Sequence, residues 1–161
     1  MTIATSILDT TQFQRGSDDP RKDKSYCPQR VILPPEVLSI VRASLPFDKR
    51  KQGSDGGLPT ETAIYWQLIE LGLNHVRSEY RQNGGTIEFT QKELAIPDTT
   101  EYPIWMPIEL KENAVSLLGE YNAQLEAQML RKLAGIGPLL CALVRRGLMN
   151  APIKNIVTDY S

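Results

Sequence analysis

The chain has 161 residues, 41% hydrophobic and 23% charged, close to globular averages, which excludes collagen-like, purely coiled-coil and wholly disordered organisation. Eighteen Lys and Arg against nineteen Asp and Glu give a formal net charge of -1, so any nucleic-acid contact must be local rather than spread over a basic surface. Two distant cysteines, Cys27 and Cys141, form neither a disulfide framework nor a zinc cluster, no apolar run reaches the roughly 20 residues of a membrane span, and the N-terminus lacks a leader pattern. The expectation is a soluble cytoplasmic protein with no membrane contact, no metal and no other cofactor.

Residues 1–25, rich in Thr, Ser, Asp, Arg and Lys and without apolar periodicity, read as a flexible arm. Gln29 to Leu33 is a short β-compatible run that Pro34-Pro35 turns directly into a helix, because proline in the first helical turn gives up an N–H that has no partner there. Val37, Leu38, Ile40, Val41 and Leu45 mark the buried face of that helix, and Pro46 ends it at or before Leu45. From Phe47 to Gly57 the chain reads as a basic loop through Asp48-Lys49-Arg50-Lys51. A second helix starts near Pro59-Thr60-Glu61-Thr62, where Thr60 or its neighbour can cap; it carries Ile64, Leu68, Leu71 and His75 on one stripe and ends at Asn83-Gly84-Gly85.

Residues 85–101 read as a connector, with Thr86 to Thr90 alternating like a short strand and Thr90 to Leu94 forming one helical turn. Tyr102 to Met106 is a second short apolar run, closed by Pro107. Leu110, Ala114, Leu117, Leu118, Tyr121 and Leu125 then mark a long helical face. Gly135-Ile136-Gly137-Pro138 is a turn, and a last helix runs from Pro138 to about Asn150, where Pro152 blocks continuation and leaves 152–161 as a tail. The second half thus replays the first. Leu33-Pro34-Pro35-Glu36-Val37 matches Met106-Pro107-Ile108-Glu109-Leu110 at an offset of 73 residues, and Leu71-Gly72-Leu73 matches Arg146-Gly147-Leu148 at 75. The expectation is two like units, 26–84 and 102–151.

A strand, a proline, an acidic residue, an amphipathic helix, a loop and a second helix with an apolar-Gly-apolar element resemble the ribbon-helix-helix family of the Arc/MetJ type. The stretches Arg30 to Arg42 and Glu61 to Leu73 carry the likeness, and 102–150 fits it more loosely. The resemblance implies a mainly α fold with a short β-ribbon, built from two ribbon-helix-helix-like units packed as a pair. It also implies that one ribbon face is core and the other enters the major groove of double-stranded DNA, with the start of the second helix available to a phosphate.

Carried onto this sequence, alternation turns Gln29, Val31 and Leu33 inward and Arg30 and Ile32 outward. In the second strand it turns Ile104 and Met106 inward and Pro103 and Trp105 outward. Arg30 is the natural base reader and equally a solvated strand-end arginine, while Ile32 offers only contact with a thymine methyl. Lys49, Arg50 and Lys51 are phosphate contacts or a solvated charge run; Thr60 and Thr62 cap, with a phosphate at the same helix end compatible. Trp105, with Tyr102, belongs to a binding face or, if the run slips by one residue, to the core. Those eight positions, Arg30, Ile32, Lys49, Arg50, Lys51, Thr60, Thr62 and Trp105, form the expected DNA site. No catalytic residue is expected: the single histidine, His75, sits inside a helix with no nucleophile motif. The function expected is a DNA-binding regulator, namely a repressor, an antitoxin-type autoregulator or a plasmid-transfer accessory. The alternative is a protein-interaction adaptor with the same architecture; a protein partner and self-association are the further partners it allows.

Overall fold

The computed structural model of the protein describes residues 2–45, 59–98 and 100–159. They form five helices and two separate two-stranded antiparallel sheets, a mixed α/β chain in which helix dominates. Strand β1 (Thr2–Leu8) leads through a 3₁₀ turn (Thr10–Gln12) to β2 (Tyr26–Ile32), α1 (Pro35–Ser44) and α2 (Glu61–Gln82). After α3 (Gln91–Leu94) come β3 (Glu101–Pro107), α4 (Ile108–Ala127), α5 (Ile136–Met149) and β4 (Ile153–Asp159). Sheet pairing joins β1 to β4 and β2 to β3.

Proline sets both strand-to-helix corners. Pro34 caps α1 with φ −59° and ψ 142°, and Pro107 caps α4 with φ −56° and ψ 135°, so the 73-residue sequence match is also a match of backbone conformation. Glu36 and Glu109 occupy the first turns that follow, where a carboxylate faces the positive end of the helix dipole. Past the corners the halves interlock. β3 lies against α2 and β2 against α5, so each strand packs on the second helix of the other half.

Helices α2 and α5 cross at the centre, and two glycines let their backbones touch. A Cβ on Gly72 would stand 2.0 Å from the Leu143 carbonyl oxygen, and one on Gly147 would stand 1.7 Å from that of Leu68. Both glycine–carbonyl contacts are related by a shift of 75 residues, the second sequence offset. Around this crossing Leu68, Ile64, Ile69, Leu139, Leu140 and Leu143 have no exposed surface, each contributing about 1.5–3 kcal/mol by burial. The inner ribbon face closes the layer: Val31, Leu33, Ile104 and Met106 are buried as alternation predicts.

Several sequence expectations change. The flexible arm and the tail contain β1 and β4, which pair over their whole length. The arm is further tied down by the buried Gln67, whose side-chain oxygen accepts from Gln14 N–H and whose amide donates to the Gln14 carbonyl, both at 2.6 Å, and by Leu8 and Phe13 in the core. Thr86 to Thr90 makes no strand. The Ile87 backbone is satisfied by a side chain instead, since Gln124 accepts from Ile87 N–H at 2.8 Å and donates to the Ile87 carbonyl at 2.7 Å. β2 starts at Tyr26 rather than Gln29, because Pro28 falls where its missing N–H faces the ribbon edge. The helical turn at Thr90 forms as expected, closed by a capping box with Glu93.

Candidate nucleic-acid interface

The candidate site is the outer face of the β2–β3 ribbon. Its register pairs Pro28 with Trp105, Arg30 with Pro103 and Ile32 with Glu101. Since Val31, Ile104 and Met106 of the alternate set are buried, these six residues share the face turned away from the core. Arg30 is exposed in mid-strand, and its guanidinium makes no ion pair among the described residues. Ile32 and Trp105 are half-buried. The one-residue slip that would bury Trp105 does not occur, because Met106 and Ile104 take the inward positions.

Pro28 and Glu101 belong to this face and escaped the sequence reading, which began each strand too late. Glu101 matters most, because it places a carboxylate opposite Ile32 and makes the charges on the face one positive and one negative. Extending the period-two pattern backward from Trp105 through Pro103 would have found it.

Each end of the ribbon's neighbourhood differs. Thr60 caps α2, its hydroxyl accepting from Ala63 N–H at 3.2 Å, and Thr62 is half-buried in the first turn. That helix start already carries an anion: Glu61 accepts from the Arg42 guanidinium at 2.8 Å and from the Tyr65 hydroxyl. Burial, then the Glu61 carboxylate, pushes the Tyr65 hydroxyl far above its ordinary pKa, so it stays a donor. The start of α5 is open by contrast. Gly135 caps it without a side chain, no acidic residue stands in the first turn, and a Cβ on Gly137 would lie 3.9 Å from Ile32 Cδ1. The start of α5 therefore lies beside the ribbon at Ile32. Lys49, Arg50 and Lys51 lie outside the described residues.

Away from the ribbon, His75 Nδ1 stands 3.3 Å from Arg146 Nη1 and 3.7 Å from Glu79. Arg146 is buried between α2 and α3: it donates to both Glu93 oxygens, to Glu79 at 3.1 Å and to the Glu88 carbonyl at 2.9 Å, and stacks 5.5 Å from the Phe89 ring. This cluster holds the connector on the helices and leaves its buried polar atoms partnered. Cys141 is buried near Ala95, Arg145 and Glu36, and burial raises its thiol above the ordinary value, which makes it a poor nucleophile. Among the described residues no group of three or more His, Cys, Asp or Glu is placed to hold a metal ion, and no helix is long and apolar enough to cross a membrane. No family model, no curated protein and no solved structure matches this chain.

Proposed function

We propose that the protein is a cytoplasmic DNA-binding regulator of ribbon-helix-helix type, with both units in one chain, acting as a repressor, an antitoxin-type autoregulator or a plasmid-transfer accessory. The observation that carries this reading is the pairing of β2 with β3, one strand from each half, in a register that presents Arg30 on an open face. A two-stranded ribbon fits the major groove, and an arginine there can donate two hydrogen bonds to guanine. The reciprocal glycine contacts and the two proline corners support reading the halves as a pair of like units. In this reading the open start of α5, next to Ile32, takes a backbone phosphate and sets the depth of the ribbon.

A second reading, a protein-interaction adaptor, is favoured by the composition of the same face. Pro28, Ile32 and Pro103 offer no side-chain donor or acceptor, Trp105 offers a single indole N–H, and Glu101 opposes phosphate. A gel shift with genomic and random DNA fragments at two salt concentrations separates the two. Binding that weakens steeply with salt while keeping a fragment preference supports the regulator. Absence of binding to any fragment at low salt removes it in favour of the adaptor.

A further inference from the structure

The two ribbons of this chain treat their edges in opposite ways. Beyond the end of β2–β3, Ile108 N–H donates to the Ser25 carbonyl at 2.8 Å. Ladder alternation from that pair makes Cys27↔Met106, Gln29↔Ile104 and Val31↔Tyr102 the hydrogen-bonded pairs. The backbones of the intervening residues face the outer edges, and Pro28, Pro103 and Pro107 are among them, with no N–H to offer another strand. Proline thus interrupts both edges of that ribbon.

The β1–β4 ribbon is not interrupted in this way. Asp9 N–H donates to the Pro152 carbonyl at 3.0 Å, so Ile7↔Lys154, Thr5↔Ile156 and Ile3↔Thr158 are the hydrogen-bonded pairs. The N–H groups of Thr2, Ala4, Ser6 and Leu8 point to the outer edge of β1. Leu8 confirms the direction, since its N–H donates to Ser44 Oγ at 3.0 Å, where α1 covers that end. Among the described residues, Thr2, Ala4 and Ser6 have no strand beyond them, because the sheet stops at two. The segment Thr2-Ile3-Ala4-Thr5-Ser6-Ile7-Leu8 contains no proline and no charged residue, the devices that protect natural edges.

We propose that β1 is a self-association strand: the β1 edges of two copies pair antiparallel across a twofold axis at Ala4, giving a four-stranded sheet in the order β4-β1-β1-β4. A second copy is the occupant because the edge is complementary to itself. A twofold axis at Ala4 sets Thr2 against Ser6 and Ser6 against Thr2, so all three edge-facing residues of each copy enter hydrogen-bonded pairs, no like charges meet, and the engaged Leu8 N–H is left alone. The inference does not depend on what the β2–β3 ribbon binds.

Sedimentation equilibrium of the full chain tests it. The intact protein should show twice the 18.1 kDa chain mass. Ala4→Pro and Ser6→Pro each delete one outward N–H and no backbone bond of the β1–β4 ladder, Ser6→Pro giving up in addition the exposed Ser6 Oγ to Asn155 Oδ1 bond, so both variants should sediment at the single-chain mass with the far-UV circular dichroism of Ala4→Pro unchanged. Thr5→Pro removes a ladder N–H instead and should lose strand signal. A single-chain mass for the unmodified protein overturns the proposal, and so does a double mass that persists in both Ala4→Pro and Ser6→Pro.

Discussion

Gly72 and Gly147 are exchanged neighbours: the first receives the Leu143 carbonyl of α5, and the second receives the Leu68 carbonyl of α2. Each glycine is the gap into which the opposite backbone fits. A methyl at either would overlap a carbonyl carbon as well as its oxygen, and no rotamer change relieves a clash with backbone. Gly72→Ala and Gly147→Ala should therefore each destabilise the fold by roughly 3 kcal/mol or more, read as a lower urea midpoint. Gly119→Ala is the matched control. A Cβ at that exposed position of α4 meets nothing within 4 Å, so the substitution should stabilise by about 0.5–1 kcal/mol through helix propensity.

Local periodicity made the central elements legible and long-range pairing hid the rest. The stripes of Val37 and Val41, of Ile64 and Leu68, and of Leu110, Ala114, Leu117 and Tyr121 located three helices, and alternation around Val31 and Met106 located both faces of the ribbon. Thr2–Leu8 is hidden because its partner lies about 150 residues away and its apolar residues fall in adjacent pairs, Ile3-Ala4 and Ile7-Leu8, which break the period-two alternation of a half-buried strand. The start of α5 was read late for a simpler reason: Pro138 sits in the first turn, where its absent N–H costs nothing, so the helix begins at Ile136 ahead of it. Of the expected site, Arg30, Ile32 and Trp105 share one face, whereas Thr60 serves as a cap beside the chain's own Glu61.

The Arg146–Glu93 pair should make stability acid-sensitive. Burial raises the Glu93 pKa, but the Arg146 guanidinium, the Thr90 backbone N–H and the Thr90 hydroxyl together outweigh it and hold the carboxyl below its ordinary 4.5. A depressed folded-state pKa contributes stability that is present above about pH 4.5 and is lost as the pH falls through the folded value. Glu93→Gln should remove that component of acid unfolding. It should also cost about 3–5 kcal/mol at neutral pH, because Arg146 stays buried with weaker partners. Urea midpoints of both proteins between pH 3 and pH 7 measure the two effects together.

Arg30→Ala and neutralisation of Lys49, Arg50 and Lys51 to Gln should differ in kind if the ribbon reads DNA. Losing Arg30 should remove about 1–3 kcal/mol of discrimination at one base position and leave the affinity for random fragments nearly unchanged. Losing the loop charges should weaken all fragments alike and flatten the dependence on salt, since phosphate contacts carry no sequence information. Competition gel shifts across a salt series distinguish them. Equal, sequence-independent losses in both variants would reduce Arg30 to a phosphate contact and remove the base reader.

Trp105 reports on the ribbon face directly. Trp66 is only 5% exposed and packs 6.2 Å from the Tyr26 ring, so iodide should quench little of its emission, and Trp66→Phe isolates the remaining indole. Trp105, half-buried opposite Pro28, should be quenched in the free protein and shielded once the face is covered. Salt then tells which kind of ligand does the covering. Shielding by a DNA duplex should disappear as salt rises, because counterion release drives that contact, whereas shielding by an apolar protein surface should survive or strengthen. Emission that is already shielded in the free protein, and that neither duplex DNA nor a protein captured on the ribbon alters, would show that the β2–β3 ribbon is not a binding face at all; the Arg30 experiment would then have no surface on which to act.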